Sequence, residues 1–196
     1  MVKYKGIDHL AMATGDMDRT VRFWRDLLGL RIVLSIGKPG YRQYFFEISE
    51  NDLLAFFEWP GVEPIPEKDH GYPVTGPFSF DHVSLGVEND DDLWELKDKL
   101  TAADFWVTEV MDHGFMHSLY TFDPNGIAVE FSWSVAGAGI RRHPRMLDSE
   151  PSEVALEGPE PQKDMWPKVE RPTSPKDRKL YPGAGSEFFP DGWSPG

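Results

Sequence analysis

The sequence predicts an α+β fold: two tandem βαβββ modules related by a pseudo-two-fold axis, followed by a Pro-rich extended C-terminal tail. Three observations carry this. Gly6-Ile7-Asp8-His9-Leu10 aligns with Ser79-Phe80-Asp81-His82-Val83 at an offset of 73 positions, which also lays Asp16 on Asn89, Phe23 on Leu96 and Leu27 on Leu100. Each copy holds one stretch of helical periodicity among four short apolar runs. Near the end of the second copy, Asp123-Pro124-Asn125-Gly126 is a turn flanked by period-2 alternation, which reads as a β-hairpin.

The elements follow in order. Residues 5–13 form a strand, and Asp16 or Asp18 caps a helix in which Val21, Trp24, Leu27 and Leu28 recur at helical spacing. Gly29 stops that helix. Residues 30–36 are a strand, Gly37-Lys38-Pro39-Gly40 a turn, and residues 41–48 and 53–59 two further strands. Residues 60–77 are a linker rich in Pro, Gly and charge. A strand at 78–87 opens the second module, Asn89 to Asp92 supply caps, and Leu93, Leu96 and Leu100 mark its helix. Residues 105–110 are a strand, and the hairpin closes the module. The paired modules span 3–134 and the tail 135–196. Ten of the 17 prolines fall in 134–196. Met165-Trp166, Leu180-Tyr181, Phe188-Phe189 and Trp193 are apolar anchors there, so the tail either wraps the core or a sister subunit, or stays disordered.

Composition narrows the function. The net charge is −13 with no basic stripe, which argues against nucleic acid and anionic membranes as partners. There are no cysteines, which removes disulfides and thiolate metal sites. No apolar run approaches a membrane span, and the first residues lack a signal-peptide core, so a cytoplasmic location is expected.

Within the hairpin, Ser118, Tyr120 and Phe122 share one face before the turn, and Ala128, Glu130 and Ser132 share one after it. Glu130 is thus a carboxylate in a strand otherwise suited to burial, a costly placement unless the charge is paired or bound to a metal. His9 and His82 occupy repeat-equivalent positions. A lone histidine is as readily a satisfied core or capping residue. Two at equivalent positions with a strand-buried glutamate point to one divalent-metal site, His9, His82 and Glu130, in the cleft between the modules. Two imidazoles and a carboxylate leave coordination positions open, the facial arrangement of Fe(II) oxygenases, although Mn, Zn, Ni or Co also suit this donor set. Glu58 is a further candidate, as fourth ligand or base. The Trp59/Trp133 alignment instead sets Phe56 opposite Glu130, with Glu58 near the pocket mouth.

With these residues in view, the chain resembles the vicinal oxygen chelate superfamily (glyoxalase, bleomycin-resistance protein and type I extradiol dioxygenase) over residues 3–134. The hairpin region is similar to the extradiol signature: His113, five residues, Leu119-Tyr120, Asp123-Pro124-Asn125-Gly126, then Glu130. The resemblance implies that Glu130 is a metal ligand and that His113 and Tyr120 stand near substrate oxygens, where they hold or relay protons. Two departures are Met111 and the lack of a histidine between Leu54 and Trp59; His117 has the strand parity of the opposite face. The expected function is an Fe(II) extradiol-type dioxygenase acting on a catechol-like or other bidentate aromatic substrate with O2, assembled as a homodimer. The alternatives are a glyoxalase-like lyase or isomerase using Glu58, and a non-catalytic binding protein of the drug-resistance type.

Overall fold

The protein is described by a computed structural model covering residues 6–76, 80–137, 139–140, 142–162, 165–183 and 186–188. Of the features named above, Lys5, Pro77 to Ser79, Phe189 and Trp193 lie outside the described residues. The first half contains β1 (His9–Thr14), α1 (Met17–Val21, continued by π-helical turns through Arg22–Leu27), β2 (Ile32–Lys38), β3 (Tyr41–Glu47) and β4 (Leu53–Glu58). The second contains β5 (Val83–Gly86), α2 (Asp90–Ala102), β6 (Met111–Asp112), β7 (Met116–Phe122) and β8 (Ala128–Ser134). The strand orders are β1-β4-β3-β2 and β5-β8-β7-β6, so both halves share one topology. In each, the first strand lies parallel to the last and the other pairings are antiparallel. These are the two tandem βαβββ modules that the repeat predicts.

Local chemistry sets the boundaries. Asp16 caps α1, its side chain accepting from the Arg19 amide at 2.9 Å. Gly29, at φ +82°, ends the helical run in the left-handed conformation that glycine adopts without steric cost. Asn89 and Asp92 form a reciprocal capping box at the start of α2, with bonds of 3.1 and 3.0 Å. The strand expected at 105–110 is not formed as a ladder. That segment runs beside β7, but Thr108 and Thr121 side chains take over part of the pairing. Thr108 Oγ1 accepts from the Tyr120 amide at 3.0 Å, and Thr121 Oγ1 donates to the Trp106 carbonyl at 2.6 Å. Only the Val107–Thr121 bridge remains, and the regular strand begins at Met111.

One hydrophobic core serves both modules. Met17, Phe23 and Trp24 from the α1 segment pack with Phe46, Leu54 and Phe56 of the first sheet and with Leu85, Leu93, Leu100, Leu119, Val129 and Phe131 of the second module. The helix-side faces of both sheets therefore meet this core, and the alternate residues of each strand look away from it. On β1, Leu10 and Met12 pack against the core while His9, Ala11 and Ala13 are exposed. The modules are also pinned through polar groups. Asp123 accepts from Trp24 Nε1 at 3.2 Å and from the Asn125 and Ile127 amides at 2.8 and 3.0 Å. The linker is held at the same turn, the Ile65 amide donating to the Asn125 carbonyl at 2.8 Å.

The chain divides into two units, 1–138 and 139–196. Within the second, the described residues include three short 3₁₀ turns, Ala155–Glu157, Pro175–Asp177 and Ser186–Phe188, and Trp166, Leu180 and Tyr181 are exposed. Among the described residues no helix is long and apolar enough to cross a membrane.

Gly126 answers two demands at once. It sits at φ +77°, and a Cβ there would come within 2.1 Å of the Ile65 carbonyl oxygen. Gly126→Ala is expected to lower the unfolding free energy by about 2–3 kcal/mol, through backbone strain and displacement of the linker. Urea denaturation followed by tryptophan fluorescence measures it, and a midpoint equal to the wild type's would refute this reading of the turn.

Candidate functional site

The face of the second sheet that turns away from the core carries the polar residues of the hairpin. Cross-strand pairing sets Tyr120 opposite Glu130, Ser118 opposite Ser132 and Phe122 opposite Ala128, while Ser84 of β5 pairs with Glu130 from the other side. Glu130 is only 5% exposed although it points away from the apolar core, because neighbouring side chains cover it.

His82 stands at the entry to β5 with its two ring nitrogens held differently. Nδ1 lies 2.6 Å from Asp81 Oδ1, and Nε2 lies 3.1 Å from Glu130 Oε2. Asp81 is itself anchored, accepting from the Gly71 amide at 3.1 Å and pairing with Lys68. Lys68 and His82 together hold its carboxyl well below the usual range. With Nδ1–H donated to Asp81, Nε2 presents a lone pair to the Glu130 carboxylate. Two acceptors at that distance need a proton or a metal cation between them. A histidine backed by a carboxylate and facing a second carboxylate is a donor set that fits a divalent cation.

Two opposed influences act on Glu130. Burial pushes its carboxyl up, but the Ser118, Ser84 and Tyr120 hydroxyls and the His82 ring outweigh burial and bring it below its ordinary value. The Ser118 hydroxyl is buried without meeting hydrogen-bond geometry to any described residue, so it acts on the carboxylate as a nearby dipole. Tyr120 is pushed up to about 12, first by burial and then by the neighbouring Glu130 carboxylate. Its hydroxyl lies 3.0 Å from His113 Nε2. His113 is presented by the β6–β7 turn, where Gly114 (φ +80°) donates its amide to Asp112 at 2.6 Å. Glu130, Tyr120 and His113 thus form a line from a buried carboxylate to an exposed imidazole.

The other sequence candidates lie elsewhere. His9 is on the outward face of β1, with Nδ1 2.8 Å from Asp8 and its ring 5.7 Å from that of Phe45. Among the described residues, no group of three or more His, Asp or Glu side chains is arranged as a ligand set. Glu58 faces the helix side of its sheet, where Oε1 accepts from the Met17 amide at 2.9 Å and Oε2 pairs with Arg42 at 2.8 Å. Both oxygens are engaged in holding α1 and β3, and Glu58 lines a cavity it shares with Tyr41 and Arg42. The residue in the position of Glu130 is not Phe56 either. Ser84 pairs with Glu130, and its repeat counterpart Ala11 pairs with Ala55. Phe56 has the opposite parity and is fully buried in the core. His117 points to the helix side, 2.6 Å from Asp90 at the start of α2, as its parity predicts.

Two features were not legible in the sequence. His70, in the linker, packs at a tilt against this face, with ring centroids 4.4 Å from Tyr120, 5.4 Å from Phe122 and 5.7 Å from His82. Burial, then the nearby His82, lowers its pKa, against the opposing pull of Asp81, the Val129 backbone and Glu130. Trp106, half exposed, lies 5.2 Å from Phe122 and extends the aromatic wall. A linker histidine carries no periodic signal. The repeated Asp-His dipeptide aligned the two modules but did not point to His70 or Trp106. Two cavities lie apart from this face: one of about 480 Å³ beside Lys38, Tyr41 and Arg42, and an apolar one of about 320 Å³ along Leu10 to Ala13.

Comparison with known proteins gives a consistent result. Residues 6–131 match the family described as Glyoxalase/Bleomycin resistance protein/Dioxygenase superfamily. The chain is 24% identical over 128 residues to a lactoylglutathione lyase of Haemophilus influenzae, covering 63% of this chain and 88% of that one. It is 25% identical over 142 residues to an iron-dependent extradiol dioxygenase of Rhodococcus jostii, covering 65% of this chain and 42% of that one. A glyoxylase/bleomycin resistance protein/dioxygenase domain from Frankia sp. EAN1pec superposes with a TM-score of 0.58 at 21% identity, over 68% of this chain and 100% of that one. A glyoxalase/dioxygenase from Nostoc punctiforme gives 0.52 at 15%, over 67% and 92%. At these identities the structural likeness concerns the fold.

Because Tyr120 is raised, the folded state keeps a proton that the unfolded chain releases near pH 10. Its contribution to stability is complete below pH 10 and is lost as pH rises toward about 12. In absorbance titration at a tyrosinate wavelength, one of the six tyrosines should ionise near 12. Glu130→Gln should bring that step down while leaving it above 10, since burial remains. A Tyr120→Phe protein that retains the late step would refute the assignment.

Proposed function

The chain belongs to the Glyoxalase/Bleomycin resistance protein/Dioxygenase superfamily, and we propose that within it this protein is a divalent-metal enzyme, an Fe(II) extradiol-type dioxygenase acting on a catechol-like or other bidentate aromatic substrate. The observation that carries the reading is the His82–Glu130 pair, two metal-binding groups face to face at 3.1 Å with Asp81 fixing the tautomer behind them. His82, Glu130 and His9 would hold the metal. His9 is exposed on the side of β1 that faces away from the shared core, open to a second chain. A homodimer in which a sister subunit supplies His9 accounts for that placement.

When bound, Fe(II) supplies a Lewis-acidic centre at which a catecholate and O2 can meet. The chain's own groups do the rest. Tyr120 holds its proton at neutral pH, so its hydroxyl acts as a hydrogen-bond donor to a substrate oxygen rather than as a base. His113, 3.0 Å from that hydroxyl and open to water, takes the proton a catechol must lose and passes it to solvent. Phe122, Trp106 and His70 form a wall against which an aromatic ring packs while its two oxygens reach the metal.

The alternative is a glyoxalase-like lyase or isomerase, supported by the likeness that spans 88% of the Haemophilus lyase. That reading draws on a further carboxylate as ligand or base. Glu58 is committed to Met17 and Arg42, and Ala55, which stands where the first module would supply that ligand, has no donor atom. The cytoplasmic location expected from the sequence suits a ferrous enzyme.

The test is anaerobic Fe(II) loading, metal analysis and oxygen uptake with a panel of catechols. About one iron per chain, O2 consumption and a yellow ring-opened product are expected. His82→Ala, Glu130→Ala and His9→Ala should each abolish uptake and reduce bound iron at least tenfold. Nickel, zinc or cobalt with no oxygen uptake would favour the lyase or isomerase. A protein that binds no metal would contradict both and leave the drug-resistance type of binding protein.

A further inference from the structure

His70 has a role that the metal site and the Tyr120–His113 line leave unassigned. Its ring is surrounded by those of Tyr120, Phe122 and His82, with Trp106 within 10° of parallel at 6.4 Å. Its Nε2 is buried and meets hydrogen-bond geometry with no described residue, although the Val129 backbone acts on the ring. A buried imidazole nitrogen carries a proton or a lone pair, and native structures rarely leave either unmatched. The segment around His70 is nevertheless held deliberately. Lys68 on one side and the Gly71 amide on the other both bind Asp81, the same carboxylate that orients His82. One side chain therefore sets both the metal-facing nitrogen of His82 and the position of the strap that lays His70 over the face. Two of the strap's polar attachments, from the Lys68 side chain and the Gly71 amide, thus converge on Asp81.

We propose that His70 is a substrate-binding residue: residues 68–71 form a strap latched by Asp81, and His70 Nε2 hydrogen-bonds an oxygen of an aromatic substrate held at His82 and Glu130. The ligand class follows from the surroundings. Three aromatic rings beside His70 suit a planar ring, and an unmatched nitrogen beside two metal-binding groups suits a ring bearing adjacent oxygens. This inference rests on the metal-enzyme reading of the same site, and the experiment separates the two.

The probe is 4-nitrocatechol, titrated by absorbance into full-length protein with and without redox-inert Zn²⁺, alongside Zn²⁺ titration alone. His70→Phe, which keeps an aromatic ring in the cluster, should weaken probe binding at least tenfold while Zn²⁺ stoichiometry and affinity stay within twofold. His70→Gln, which restores a polar group, should recover part of that loss. Probe affinity within twofold of wild type in His70→Phe overturns the inference. So does a tenfold loss of Zn²⁺ affinity in that variant, which would make His70 a metal ligand instead. Wild-type protein that takes up no Zn²⁺ contradicts the metal reading. The inference then stands if probe binding without metal still depends on His70, and falls if the probe does not bind. Should His70→Phe fail to fold, the ¹⁵N resonances of the wild-type His70 ring decide: a shift of Nε2 on probe addition supports the contact, and an unmoved signal overturns it.

Discussion

A carboxylate carried on a buried strand has to be matched, and the second module is arranged around that requirement at Glu130. Its β8 neighbours Val129 and Phe131 drive the strand into the shared core, which fixes the opposite direction for Glu130. Three hydroxyls and the His82 ring then offset the cost of burial, strongly enough that the carboxyl sits below its ordinary value. The same compensation makes the group useful. A carboxylate kept charged in a largely dry setting, facing an imidazole whose other nitrogen is already committed to Asp81, is suited to receive a cation.

The duplication explains both the symmetry of the fold and the asymmetry of the site. Both modules have the same strand order and the same Asp-His step before or at the first strand. They differ where the chemistry lies. The last strand of the first module offers Ala55 where the second offers Glu130, and Phe45, Phe57 and Trp59 give its outward face an aromatic character. Glu58 has become a structural residue, receiving the first amide of α1 and pairing with Arg42 across the sheet. One module thus carries the buried carboxylate, and the other presents an exposed histidine and an apolar surface.

Much of this was legible because it depends on short-range rules. The Asp-Pro-Asn-Gly turn and the alternation around it placed Tyr120 and Glu130 on one face, since a strand's period leaves no other arrangement once Val129 and Phe131 are buried. The offset between His9 and His82 revealed the duplication. Glu58 was harder, because aligning Trp59 with Trp133 slips the register by one residue and turns a strand inside out. The segment before β6 was misread because threonine side chains, which a pattern of apolar residues does not register, replace ladder bonds. His70 was invisible for a different reason: its surroundings are assembled from β5, β7 and the loop after α2, and no local signal in a Pro- and Gly-rich linker reports a tertiary contact.

His82 and Glu130 are proposed here as two ligands of one divalent metal whose coordination is completed by a second imidazole. X-ray absorption at the metal edge of the Fe(II)-loaded protein addresses this assignment directly. A shell of nitrogen and oxygen only is expected, with the multiple scattering of about two imidazoles, reduced to one in His82→Ala protein saturated with iron. A spectrum without imidazole scattering, or one unchanged by that substitution, would contradict it.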